Sequence, residues 1–313
     1  MVEKMKKGEK IQSRRFLKLL SRDKILVLMA LPAVLYFIVF HYIPMFGTAI
    51  AFQDFKPGSQ IFSGQFVGFK WFAEFFSSTF FTRLISNTLL LSLMMLIFSF
   101  PVPILFALML GEIKDNLFKK SVQTISYLPH FISLVVVVGI MKNFLSPVDG
   151  VINQVLTFFN AKPIDFMGEP EYFRPLYILS GIWQEFGWNS IVYFAAMSSI
   201  DPQLYEAARI DGGSRFRQMI HVTIPGIMPT AITLLILALG NMMNVGFEKI
   251  ILMYNPSLYD VADVISTYVY RKGIIDMQYS YASAVGLFNS VINLLLLLGV
   301  NLLSRKSTDV GLF

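Results

Sequence analysis

Glu185 and Glu248 are acidic residues set inside long apolar stretches, and a carboxyl pair is the minimum equipment for acid–base hydrolysis of a glycoside. They lie in different stretches, and nothing in the sequence fixes their separation or shapes a cleft around them, so no catalytic residue is assigned. The same residues suit recognition better. Asn241, Asn244 and Glu248 recur at i, i+3 and i+7, which predicts one shared helix face. Trp183, Glu185 and Trp188, with Gln184, Asn189 and Tyr193, crowd a second stretch. Amides and carboxylates bond a ligand's hydroxyl groups, aromatic rings cover its apolar faces, and polar groups inside a bilayer are costly enough to mark function. The bland reading of such groups is a bridge between helices, and it is the one given to Asn289 and Asn293, one turn apart in a third stretch. His41, His130 and His221 are far apart and there is no cysteine, so disulfides, thiol catalysis and thiolate metal sites are excluded and no metal site is expected.

The elements that must position these residues follow from composition. The chain has 313 residues, 55% hydrophobic and 15% charged, with mean hydropathy +0.61. Soluble domains carry about 25% charged residues. The apolar residues come in blocks of roughly 20, enough for a helix to cross a ~30 Å hydrocarbon core. The expected fold is all-α, a polytopic membrane protein with six spans near 25–52, 84–110, 126–145, 175–198, 225–252 and 282–303. The short alternating strands of a barrel are missing. With both termini in the cytoplasm, 17 Lys/Arg fall on the inner side and 9 on the outer, as the positive-inside rule requires. The net charge of +6 is therefore read as membrane topology, with no nucleic-acid partner. The division is a basic segment at 1–24, a membrane domain at 25–303 and a tail at 304–313, with a short amphipathic helix at 149–160 on the outer side.

One inner loop, 201–225, looks soluble and well capped. Asp201-Pro202 is a helix start, because aspartate accepts from free amides and proline fits the first helical position. Gly212-Gly213 ends that helix, and Ser214 caps a second one expected to close at Pro225. A small exposed helix pair between two spans is suited to receive a partner. An interfacial helix lying on lipid is the alternative. No P-loop pattern occurs in the chain, so any ATPase would be a separate protein.

The loop resembles the EAA loop of importer-type ABC permeases. Glu206-Ala207-Ala208, three residues, Gly212, nine residues and Val222-Thr223-Ile224-Pro225 reproduce its spacing, with apolar substitutions at two of its last positions. Tyr42-Ile43-Pro44-Met45, Tyr127-Leu128-Pro129-His130-Phe131-Ile132-Ser133, Asn244-Val245-Gly246-Phe247-Glu248 and Tyr254-Asn255-Pro256 are similar to the polysaccharide-type branch of the maltose and glycerol-phosphate permease family. The resemblance implies a type I importer fold in the bacterial cell membrane and a second, homologous permease. It also implies an extracytoplasmic sugar-binding protein and two ATPase subunits that carry ATP and magnesium, with no cofactor on this chain. It assigns ATPase docking to Glu206, Ala207, Ala208, Asp211 and Gly212, with Pro225 closing the motif. The substrate-pathway candidates are Asn241, Asn244, Glu248, Trp183, Glu185 and Trp188. An ion-gradient-driven transporter or channel is the other reading of such a chain, and a signalling scaffold a third.

Overall fold

An unpaired peptide group in hydrocarbon costs several kcal/mol, so apolar runs of this length must close their hydrogen bonds within helices. The computed structural model describes residues 23–60, 62–114, 116–308 and 311. The basic segment expected at 1–24 lies outside the described residues up to position 22.

Among the described residues, four helices are long and apolar enough to cross a membrane: α1 (Lys24–Phe52), α3 (Phe81–Glu112), α9 (Arg215–Gly240) and α13 (Tyr279–Thr308). The pair α4 (Leu117–Phe131) and α5 (Leu134–Phe144) counts as a fifth only as a bent unit, because a 97° bend separates its halves. The straight helix expected at 126–145 is corrected accordingly. The cause is local: a 3₁₀ turn at Leu128–Phe131 around Pro129 gives way to extended backbone at Ile132 and Ser133. The central helix α7 (Pro170–Ser198) has 29 residues, and Gln184, Glu185 and Asn189 interrupt its apolar run. Between these run β1 (Gln53–Asp54), paired antiparallel with β2 (Gln65–Phe66), and α2 (Lys70–Ser77). Short helices α6 (Val151–Phe158), α8 (Pro202–Ile210), α10 (Phe247–Met253), α11 (Tyr259–Ala262) and α12 (Ile265–Tyr270) complete the chain. The amphipathic helix expected at 149–160 is α6, pinned by buried Asn153, which bonds the carbonyls of Ser146 and Ile164 and the Ile164 amide.

Proline shapes two of the long helices in one way. In α1 the Ile43 amide reaches back five residues to the Ile38 carbonyl, one residue before Pro44. In α9 the Ile224 amide does the same to Met219, one residue before Pro225. Each wide turn carries the helix past a residue that has no amide proton. This corrects the expectation that Pro225 closes one helix and opens another: α9 is continuous across it.

Small residues let helices approach closely, as membrane packing demands. A side chain at Gly187 of α7 would collide with the Ser126 carbonyl of α4. Two clusters form most of the core. Leu91, Tyr177, Ile178, Val245 and Ile250 join α3, α7 and α10, and Phe75, Leu84, Met243, Ile265 and Tyr281 join α2, α3, α12 and α13. The stretch 253–281, expected as a loop, packs around a fully buried carboxylate instead. Asp263 receives both arms of Arg271, at 2.6 and 3.3 Å, and the Thr267 hydroxyl at 2.8 Å. Arg83 of α3 stands 3.8 Å from Asp263 and 2.7 Å from Asp260. Burial alone would lower the Arg271 pKa, but Asp263 more than offsets this and holds it above the ordinary arginine value.

Candidate functional site

Two features hang on the same pair of long helices. The first is the capped segment after α7. Asp201 accepts from the Gln203 amide at 2.9 Å and Pro202 opens α8, so the helix start stands as expected. At its end Gly212 has φ +74°, the left-handed cap that glycine adopts without a Cβ penalty. The Gly213 amide then donates to the Ala208 carbonyl at 2.8 Å, and Ser214 accepts from the Arg217 amide at 3.4 Å. No residue of α8 is buried, and Glu206, Ala207, Asp211, Gly212 and Pro225 are exposed. Sequence and structure therefore agree on an exposed knob, while its second arm, from Arg215 onward, is the start of α9 itself.

The second feature is a cavity of about 380 Å³ among α3, α7 and α9. Its polar lining is Ser92, Ser99, Asn189, Asn241 and Asn244, and Tyr177, Tyr193 and Phe100 supply rings. No charged side chain lines it. The cavity exists because the expected fifth span, 225–252, breaks. The α-helix stops at Gly240, and residues 241–246 run irregularly before α10 begins. Three ties hold the break open. Ser92 donates to the Met242 carbonyl, Asn293 accepts from the Met243 amide at 3.0 Å, and Asn289 donates to the Asn244 side chain at 3.0 Å. Irregular backbone is tolerated at membrane depth when protein groups satisfy it in this way.

The predicted pathway residues are thus divided. Asn241 and Asn244 line the cavity, but the break removes the common helix face expected for them and Glu248. Glu248 sits exposed in the first turn of α10 and does not line the cavity. Its neighbour Lys249 turns inward, buried, and donates to the Tyr177 carbonyl at 2.8 Å. Trp183 lies apart, lining an apolar recess with Val137, Met141 and Leu176. Glu185 and Trp188 meet through a residue that sequence reasoning passed over as a site. The His130 ring lies parallel to Trp188 at 4.4 Å and bonds Glu185 at 2.9 Å. The helix-bridging role expected of Asn289 and Asn293 is the one they have. Ser92 and Ser99 were missed, although two hydroxyls seven residues apart on an apolar helix mark one face.

A cavity held by α7 and α9, with an exposed knob joining the two helices, fits a permease, a membrane subunit that forms a path. The chain belongs to the binding-protein-dependent transport system inner membrane components, whose family pattern matches residues 99–309. It is 44% identical over 305 residues to the polygalacturonan/rhamnogalacturonan transport system permease protein YteP of Bacillus subtilis, covering 97% of this chain and 95% of that one. It is 43% identical over 294 residues to Protein LplB of the same organism, covering 94% and 92%. A solved structure of a bacterial alginate ABC transporter, in complex with an alginate pentasaccharide-bound periplasmic protein, superposes with a TM-score of 0.87 at 45% identity, covering 95% of this chain and all of the matched one.

Proposed function

We propose that this chain is one of two permease subunits of an ATP-driven importer for oligosaccharides in the bacterial plasma membrane. The observation that carries the reading is the placement of the knob: α8 buries nothing of its own, and the helices on either side of it both line the cavity. In this reading α7 also crosses the membrane, as the fourth of six spans, and the positive-inside count sets both termini in the cytoplasm. The knob then faces two ATPase subunits, which bind ATP and magnesium and carry all hydrolysis, while this chain binds no cofactor. Glu206, Ala207, Ala208, Asp211 and Gly212 form the docking surface, with small alanines permitting close approach. ATP binding draws the ATPases together and shifts the knob, and α7 and α9 follow, switching the cavity between the two sides of the membrane. Hydrolysis resets it.

Substrate arrives from an outer sugar-binding protein and passes between this chain and a homologous permease. Asn241 and Asn244 contact sugar hydroxyls in the cavity, and Glu185 and Trp188, held by His130, extend the path where the second permease completes it. Glu248 and Trp183 stand further from the cavity. The substrate names carried by YteP and by the alginate transporter support an oligosaccharide. The test is direct. Gly212→Asp and Glu206→Lys should each abolish uptake and ATPase stimulation while the protein still inserts. Normal transport in both variants would sink the docking assignment.

A further inference from the structure

A knob that buries none of its residues can dock without passing motion onward, unless something fixes it to the helix it must move. Among the described residues, one side-chain hydrogen bond crosses from α8 to α9. The Tyr205 hydroxyl lies 3.0 Å from the Thr223 hydroxyl. Thr223 is buried, and it is the last residue of the wide turn that precedes Pro225. Tyr205 is the partly buried residue beside exposed Glu206. Gln218 braces the same corner, donating to the Gly213 carbonyl at 2.9 Å. On the other side Ile200 packs against α9 at Gly226, where a side chain would strike it.

We propose that the Tyr205–Thr223 hydroxyl pair is the strut through which the docked knob moves α9. Local caps hold α8 together internally but do not tie it to the span. With its ends held at Ile200 and Gly213, the body of α8 loses its side-chain tie to the span once the hydroxyl pair is lost. The strut meets α9 where an i→i−5 turn and a proline leave the backbone ladder weakest, so a push there is delivered to the rod beyond. Tyr205 is a positioning residue. It acts through Thr223 and touches neither nucleotide nor substrate. The inference rests on the docking role proposed above for this loop.

The chain has no cysteine, so a reporter thiol can be placed on a clean background. Ser99→Cys puts it in the cavity lining. In the complex of this chain with its partner permease and ATPase subunits, its rate of modification by a maleimide is compared with and without ATP plus vanadate. Tyr205→Phe and Thr223→Val should each reduce the nucleotide-dependent change about fivefold, the equivalent of one hydrogen bond of about 1 kcal/mol. Thr223→Ser keeps the hydroxyl and should keep the response. The double variant should match the singles, since both remove one interaction. ATPase subunits should co-purify with all four, which separates the strut from docking. A full response in Tyr205→Phe or Thr223→Val with ATPases bound overturns the strut and leaves docking standing, and additive effects in the double variant do the same. Failure of the parent chain to hold ATPase subunits overturns both.

Discussion

Asp263→Asn removes one charge from the most deeply buried ion pair among the described residues while keeping its shape. The carboxylate is wholly buried, and Arg271 retains 19% of its side-chain exposure and Arg83 28%. Breaking a buried pair by deleting one partner costs about 3–5 kcal/mol, because the other charge is left desolvated. The residual solvent around both arginines places this site at the lower end, near 3 kcal/mol. Asparagine can still accept from Thr267, but its amide protons face the Arg271 donors, so the bidentate contact is lost. For a chain of this size the unfolding midpoint should fall by about 6 °C or more, at roughly 2 °C per kcal/mol. The assay is thermal unfolding of the purified protein in lipid nanodiscs. A companion variant with Asp263→Leu and Arg271→Met deletes both charges and should recover much of the loss, since apolar replacements of buried pairs are often neutral. A midpoint shift below about 2 °C for Asp263→Asn, or a double variant as unstable as the summed singles, would refute the claim that this pair is a compensated buried charge.

Gly187→Ala should destabilise by about 1–3 kcal/mol, because its new methyl meets the Ser126 carbonyl of a neighbouring helix rather than a side chain that can turn away; thermal unfolding reads this directly, and a neutral result would show that α4 and α7 separate freely. Asn244→Ala should cost about 1 kcal/mol by unpairing Asn289, whose other side-chain atom is already buried without a partner. Uptake should fall with it, because the break after α9 loses one of its three ties, and unchanged uptake and stability together would remove Asn244 from the site.

What the sequence showed clearly was local. Asp201, Gly212 and Ser214 cap helices through contacts within a few residues, so the knob could be read before any packing was known. The break in the fifth span could not. Leu237, Ala238 and Leu239 read as uninterrupted helix, and Met242 and Met243 continue the apolar run. What stops it is distant: Ser92 and Asn293 capture backbone groups of Met242 and Met243 from other helices. Lys249 could not be read locally either. A lysine near a span's end is expected to reach outward to water, yet its amine is satisfied by the Tyr177 carbonyl. The stretch 253–281 looked like a loop because its helices are only a turn or two long. Their stability comes from Asp263, Arg271 and Arg83, which meet only in three dimensions.

The wide turn before Pro225 also sets a compass bearing. A helix rotates its side chains by about 100° for each residue, and an i→i−5 turn is in effect one residue inserted without lengthening the rod by a full step. Winding Met219–Thr223 as regular α-helix with every residue kept would swing everything on the far side by about 100° around the axis. The knob would keep its caps, its composition and its exposure, and would point about a quarter turn away. The direction in which the knob faces is thus fixed by phase, one surplus residue in a turn that chemistry alone would not single out.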